Sequence, residues 1–588
     1  MHSSPFQLPR TTPFGAIESV VEWGLGLKTL ERLYINHMGG AKTGSEFLPL
    51  VLRAFQVDYK ISAGTIDAIP KSGPSVVVAN HPFGGIEGVA LSRLLLTHRP
   101  DVKVLTNEVL CKIPELQDIF IGVDVLGKNT RKKNHQAVEQ ARQWVAEGHQ
   151  LLIFPSGEVS SYDRNLKQVI DPKWRNTAAS IARSARATVS PVFIEGANGW
   201  LFQSLGFIHP RLRTLRLARE LINKQGQTIR FRVGNPIPPA DLSTLASSSA
   251  TTNYLRLHTY LLSTGETTPN ETATSYTDKQ REAVAPAVSS LLMEEEITAL
   301  PEDSLLIDKS GLQVYCAKAQ QLPQVLREIG RLREITFRQV GEGSGKALDI
   351  DAYDEYYLHL FLWNPEVKEI AGAYRIGQVD EILEHSGLQG IYTRSLFHYK
   401  QDFLDKLGCS LEMGRSFVRP EYQKSLSALM LLWKGIGAYV ARNPRYRVLF
   451  GPVSISSDYS EVSRQLMAGC LGINNCDQAL SELVQPTSPL KYRDRFWSAD
   501  DLRGLDNIDQ LSTMIQQIEK DNKGIPILLK QYLKLSGELA AFNVDPDFNN
   551  ALDGLIIVDL LKVNERTLAK YMGVEQSQQF RESHKAVA

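Results

Sequence analysis

Ser75-Val-Val-Val-Ala-Asn80-His81-Pro-Phe-Gly-Gly85-Ile-Glu87-Gly-Val89 is a β-branched apolar run that stops at an Asn-His pair, passes a glycine-rich turn and re-enters an apolar stretch. Ser75–Ala79 is too short and too uniformly apolar for anything but a buried strand. Gly84, Gly85 and Gly88 punctuate the loop before a helix over Val89–Leu96. Working outward, short apolar strands recur at Lys103–Leu105, Leu151–Phe154 and Val189–Ile194. They are separated by helical stretches such as His135–Gly148, with Val138, Ala141 and Val145 on one face. Strand and helix in alternation specify an α/β domain.

The chain has 588 residues, which at roughly 150 per domain implies two large domains or about four ordinary ones. At 43% hydrophobic and 22% charged it is neither disordered nor fibrous. Lys plus Arg equals Asp plus Glu at 65 each, so the overall charge gives no reason to expect nucleic acid as a partner. The five cysteines are scattered without a C-x-x-C pair, so no disulfide framework or metal site is expected and a reducing cytoplasm fits. Met1–Gly15 carries three prolines and no basic stretch feeding an apolar one, unlike an ordinary signal peptide. No run approaches the ~18 apolar residues of a membrane span, so any contact with a membrane is expected to be peripheral. A helix over Gly15–Tyr34 either lies on lipid or packs on the domain that follows.

After Pro236–Pro239 the composition turns to Ser, Thr and Ala, which sets a domain boundary. The expected organisation is a helical segment over 1–44, an α/β domain over 45–245, a linker over 246–300 with some helix in it, and a second α/β domain over 301–588. In the last, strands are expected at Leu312–Ala317, Tyr356–Trp363, Glu369–Ile376 and Ser410–Val418, with helices at Leu322–Phe337 and Ile525–Leu535. Gly451–Ser456 and Phe542–Asp547 read as structural turns and strand ends.

His81 and Glu87 share one turn. A carboxylate that orients an imidazole and stabilises the imidazolium suits removal of a proton from an attacking hydroxyl. A loop histidine capping the helix is the structural alternative. Two further segments bear on it: Leu151-Leu-Ile-Phe154-Pro155-Ser156-Gly157-Glu158, a strand entering a turn, and Val189-Ser-Pro191-Val192. In this order the three segments resemble the lysophospholipid acyltransferase family, over about Ser45–Pro239. The resemblance implies that His81 is the base, Glu87 its orienting acid, and that Asn80 and the Phe154, Pro155, Ser156, Gly157, Glu158 turn hold the acceptor's polar head. Val104–Pro114 and Val123-Asp124 look like the intervening acceptor-binding block. The usual spacing in that family is H-x4-D, whereas here it is H-x5-E. Ser156 and Val159 stand where the family has an acid and an arginine. Loss of that arginine removes a phosphate clamp and favours an acceptor with a different head group.

In the second domain, Arg333 and Phe337 are four apart on a helix, Asp349, Asp351 and Asp354 follow in a loop, and Arg375, Glu412 and Arg415 lie on strands. Glu412 and Arg415, three apart on a strand, face opposite sides unless a bulge near Gly414 intervenes. Arginines and acids in such a cluster can bind a zwitterionic amino acid, and a glutamate close to its amine can take a proton. R-x3-F, D-x2-D, G-x-x-R and E-x-x-R in this order resemble the acyl-homoserine-lactone synthases and the ornithine N-acyltransferases, which have a GNAT-like fold. The resemblance implies Glu412 or Asp354 as base and Arg333, Phe337, Asp351, Arg375 and Arg415 as substrate-binding residues. The pyrophosphate loop of coenzyme A-dependent relatives is missing after Val418, which favours acyl carrier protein over coenzyme A as the acyl carrier, with no tightly bound cofactor.

The fold class implied is therefore a glycerolipid-acyltransferase-like α/β domain followed by a GNAT-like α/β domain. Together the halves resemble the bifunctional ornithine-lipid synthases of bacteria. That implies N-acylation of ornithine with a 3-hydroxyacyl chain, then O-acylation of the lyso-lipid's 3-hydroxyl, by a cytoplasmic protein bound peripherally to the inner membrane. Two other readings fit the same residues: a lysophosphatidic-acid-type acyltransferase fused to an unrelated N-acyltransferase, and a degraded acyltransferase-like module serving as a membrane-binding or interaction domain on an N-acyltransferase.

Overall fold

The computed structural model describes residues 22, 25–37, 41–124, 131–208, 210–264, 282–424, 426–493 and 495–585. They form two compact α/β units, Met1–Thr267 with Arg493–Gln510, and Thr268–Tyr492 with Leu511–Ala588.

The first unit is built on a seven-stranded sheet of β1 (Asp58–Ala63), β2 (Ser75–Ala79), β3 (Val102–Asn107), β4 (Phe120–Val123), β5 (Gln150–Ile153), β8 (Thr188–Ile194) and β9 (Thr228–Val233). Between β5 and β8 lies a small hairpin, β6 (Ser161–Asp163) with β7 (Gln168–Ile170). The order in the sheet is β1-β9-β8-β2-β5-β3-β4, parallel except for β8 against β9. All five residues of β2 are buried, as a strand covered on both faces requires, and this accounts for its unbroken apolar sequence. The helix after it runs Ile86–His98, starting three residues before Val89 because Glu87 serves the first turn.

Of the expected Gly15–Tyr34 helix, Leu27–His37 is described with its C-terminal extension, and most of the rest lies outside the described residues. Some helix is expected in the linker over 246–300, and the stretch does open with one, Ser248–Leu261, but it belongs to this unit, where it buries Tyr254, Leu255 and Leu257. Arg256 on that helix pairs with Asp501 at 3.0 Å, and Tyr260 stacks on Phe496 at 5.8 Å. Residues 493–510, expected with the second domain, thus complete the core of the first.

The second unit has an eight-stranded sheet of β10 (Leu305–Lys309), β11 (Leu312–Lys318), β12 (Leu358–Asn364), β13 (Glu369–Gln378), β15 (Ser410–Val418), β16 (Val448–Ile455), β18 (Glu538–Asp545) and β19 (Ala551–Asp559). A two-stranded sheet joins β14 (Phe397–Tyr399) to β17 (Val484–Pro486). The large sheet is antiparallel except where β15 meets β16. There only Ser410–Glu412 pair with Val448–Phe450, and the two strands part beyond that point. The helix Pro323–Gln339 packs Val325, Ile329 and Leu332 into the core. No described helix is long and apolar enough to cross a membrane.

Candidate active sites

In the first unit β2 is flanked by β5 and β8 in parallel register, Val78 opposite both Ile153 and Pro191. Parallel neighbours end on the same edge, so the Asn80-His81 loop and the Phe154 turn emerge side by side. The His81 and Phe154 rings lie 4.6 Å apart. Asn80 has a different role from the expected one. It donates to the Ile194 carbonyl at 3.0 Å and accepts from the Ile194 amide at 2.6 Å, so it clamps β2 to β8.

The additional residue in the H-x5-E spacing does not part the pair: His81 Nδ1 stands 3.0 Å from Glu87 Oε1. Glu87 is fully buried and its carboxylate accepts from the amides of Phe83, Gly84 and Gly85 at 2.7–2.8 Å. This fold-back needs Gly84, at φ +94°, where a Cβ would meet Leu217 and Val159 side chains at 2.7 Å. Burial alone would raise the Glu87 pKa, but the His81 imidazole and the Gly84 and Gly85 amides outweigh it and hold it at about 2. Burial likewise opposes charge on His81, yet Glu87, with Asp171 behind it, raises the imidazole above its ordinary value. The Glu87 carboxylate favours the proton on Nδ1, leaving Nε2 as the acceptor for a hydroxyl proton. The His81 side chain is 20% exposed, open to a substrate.

Asp171 has no motif around it, and sequence reasoning missed it. It is 2% exposed and accepts from the His81 amide at 3.1 Å, the Ser160 hydroxyl at 2.5 Å and the Trp174 indole at 2.9 Å. In the Phe154–Glu158 turn, Ser156 donates to the Glu158 carbonyl at 2.7 Å, and the Pro155 carbonyl accepts from the Arg175 amide at 2.9 Å. Gly157 takes φ +65°. The Glu158 carboxylate, half exposed, lies 3.5 Å from Arg213.

The second unit brings the expected charges together but changes their roles. Between Ala373 and Arg375 the β13–β15 register slips by one residue, with Arg375 opposite Gly414 and Ala373 opposite Phe417. Arg415 lies in that bulge at φ +48°. The bulge turns its guanidinium toward Asp349 at 3.5 Å and Asp351 at 3.4 Å. Arg375 donates to Asp351 at 2.6 Å, and its guanidinium lies 5.0–5.5 Å from the rings of Tyr353, Tyr357 and Tyr392.

Asp354 cannot serve as the expected base. It is 1% exposed and sits between Arg333 at 2.7 Å and Arg375 at 3.4 Å. Burial raises its pKa, but the two guanidiniums outweigh this and hold it well below the carboxylate range. Glu412 is also a structural anchor rather than an open base, being 1% exposed. It accepts from the Thr393 amide at 2.7 Å, the Tyr392 amide at 3.0 Å and the Tyr357 hydroxyl. Arg333 is fully buried beneath Asp354, and Phe337 packs on the core, so neither is an open substrate contact. Asp351 and Arg415 remain as the accessible pair, their side chains 26% and 12% exposed, while Arg375, 1% exposed and held by Asp351 and Asp354, is buried beside them. Two other carboxyls titrate near neutrality, the property a base for an ammonium needs. Burial, then Asp553, Asp458 and Asp545, raise Glu342 to about 8; burial, then Asp545, raise Asp553 to about 7, against the hydrogen bond from Ser454 and the weaker pull of Arg415.

The family model described as "Acyltransferase" matches residues 32–267, and that described as "Acetyltransferase (GNAT) domain" matches 332–434. A glycine N(alpha)-acyltransferase of Bacteroides thetaiotaomicron is 33% identical over 52% of this chain and 92% of that protein. A lyso-glycine lipid O-acyltransferase of Phocaeicola vulgatus is 27% identical over 34% of this chain and 70% of its own. An L-ornithine N(alpha)-acyltransferase of Brucella abortus is 24% identical over 48% of this chain and 97% of its own. The fused chain is thus similar to separate proteins named for both kinds of acyl transfer.

Proposed function

The chain belongs to the acyltransferase family of the Bacteroides glycine N(alpha)-acyltransferase, and we propose from that premise that it makes an acyloxyacyl amino-acid lipid in two steps. In the first, the α-amine of an amino acid attacks the thioester carbonyl of a 3-hydroxyacyl chain carried by acyl carrier protein. The C–N bond forms, the C–S bond breaks, and the amine's proton passes by way of Glu342, the less buried of the two raised carboxyls, to the departing thiolate. Arg415, the more accessible of the two arginines, receives the amino acid's carboxylate, and Arg375 holds Asp351 beside it. In the second, His81 takes the proton of the 3-hydroxyl as it attacks a second acyl thioester, and Glu87 stabilises the imidazolium. The carrier's thiolate leaves with that proton. Covalent linkage of the units raises the effective concentration of the intermediate for the second step, at the cytoplasmic face of the inner membrane.

The observation that carries this reading is the His81–Glu87 pair at 3.0 Å against the Phe154 turn, a hydroxyl-activating dyad, in a chain that also matches an N-acyltransferase. For the head group we propose ornithine, the amino acid named for the Brucella relative. Glycine is a second reading, favoured by the higher identity to the Bacteroides protein. The test is the purified chain with 3-hydroxyacyl and acyl carrier protein thioesters and either amino acid, with products read by mass. An N-(3-hydroxyacyl) amino acid that chases into its O-acylated form supports the scheme. Acylation of lysophosphatidate, with no product from either amino acid, contradicts it.

A further inference from the structure

The five residues from Asp171 to Arg175 join the two halves of the first site. Asp171 accepts from the His81 amide at 3.1 Å, and Trp174 donates back to Asp171 at 2.9 Å, closing the segment on itself. At its far end the Arg175 amide donates to the Pro155 carbonyl at 2.9 Å. The base and the turn are therefore both fixed to one short stretch that ends in an arginine.

The Arg175 side chain lies over Gly157. A Cβ placed on Gly157 would stand 3.5 Å from its Nε and 3.7 Å from its Cζ. Arg175 is exposed. Among the described residues its guanidinium has no acid or hydrogen-bond acceptor beside it, unlike Arg99, Arg213, Arg216, Arg232 and Arg256 of the same unit, each paired with a carboxylate. The acid on the turn itself, Glu158, faces Arg213 at 3.5 Å, so its charge is already met. What remains at the turn beside the His81 ring is one uncompensated, forked cation on an anchored backbone. A guanidinium presents paired N–H groups that match a carboxylate.

We infer that Arg175 receives the free carboxylate of the acceptor lipid and so selects acceptors with a carboxylate head. This rests on the reading that the acceptor is an N-acyl amino acid, whose only fixed anionic group is that carboxylate. It assigns to a residue outside the recognised turn the task of placing the 3-hydroxyl near His81.

The experiment uses the full chain and its Arg175→Gln and Arg175→Lys variants with hexadecanoyl acyl carrier protein as donor. The acceptors are N-(3-hydroxyhexadecanoyl)-ornithine and -glycine, each as free acid and as methyl ester. The readout is the ratio of KM for the ester to KM for the acid. A charge-assisted pair contributes enough that the wild-type ratio is expected to be roughly ten to a hundred. In Arg175→Gln the ratio falls to about one, and Arg175→Lys recovers part of it. Because each variant is compared with itself on two acceptors, partial loss of folding cancels. A ratio unchanged in Arg175→Gln overturns the inference while leaving the two-step scheme standing. If the wild-type chain acylates none of the four acceptors, the acceptor reading falls and the assignment of Arg175 falls with it.

Discussion

Replacing Glu412 with Gln separates an anchoring glutamate from a catalytic one. In the wild type its carboxylate accepts from Thr393 N at 2.7 Å, Tyr392 N at 3.0 Å and the Tyr357 hydroxyl. Glutamine keeps one oxygen, which can stay on Thr393. Its Nε2 then faces the Tyr392 amide, donor against donor. Tyr357 can turn its proton to the Gly390 carbonyl, 3.3 Å away, and accept from Nε2 instead. The Tyr392 amide keeps its second acceptor, the Tyr357 hydroxyl oxygen at 3.0 Å, so the net loss is one hydrogen bond to a carboxylate, about 1.5–3 kcal/mol. At roughly 2–4 °C per kcal/mol for a large domain, the transition of the second unit should fall by a few degrees to about ten. Calorimetry of the full chain, read as the displacement of that transition, is the assay. N-acylation should drop moderately as the Tyr392–Thr393 loop shifts, with the shape of its pH profile kept. An unchanged transition, a rate down by about two orders of magnitude or more, and a limb missing from the pH profile would refute the anchoring role and restore Glu412 as a base.

Glu87→Gln should lower O-acylation by roughly 10²–10⁴-fold, since the imidazolium loses its counter-charge. The sign in pH follows from the raised His81 pKa: the acid limb of the kcat/KM profile should move to lower pH in the variant, and a limb that stays put or moves up contradicts the pairing. Glu87, held at about 2, contributes stability that is present above the ordinary carboxylate pKa and lost as pH falls toward 2; an acid titration of wild type against Glu87→Gln should show the difference closing over that window. Asp354→Ala leaves Arg333 and Arg375 buried without their shared counter-charge and should cost about 3–5 kcal/mol, read as a loss of soluble, folded second unit, and a stable, merely slow enzyme would argue against its anchoring place.

The strands around both sites were legible because their sequences carry the period and length of the elements. Ser75–Ala79 and Ser410–Val418 are predicted to the residue, and Leu312–Ala317 and Glu369–Ile376 end within one or two residues of β11 and β13. The His81–Glu87 pair was legible from one turn, and the structure shows why the longer spacing works: Gly84 lets the carboxylate fold back onto three amides. The sequence offers a bulge near Gly414 only as the condition for Glu412 and Arg415 to share a face; the structure has a bulge there, and it turns Arg415 toward Asp349 and Asp351 instead. What the sequence hid were properties of burial. Asp354 and Glu412 read as acids beside an amine, and only the fold shows that arginines or amides already occupy them. Asp171 and Arg175 belong to no motif, since their positions depend on the β6–β7 hairpin returning the chain to the β2 loop. The Ser, Thr and Ala content of Ser248–Leu261 hid that this helix belongs to the first unit's core, and distance along the chain hid the return of residues 493–510 to that unit.

The most direct measurement is lipid mass spectrometry of a host without aminolipids that expresses the wild-type chain or His81→Ala. A diacylated amino-acid lipid from the wild type, and only its N-(3-hydroxyacyl) precursor from His81→Ala, is the predicted pair of results. It would also read the head group as ornithine or glycine. Equal amounts of diacyl lipid from both, or a changed glycerophospholipid profile with no aminolipid from either, would contradict the two-step account.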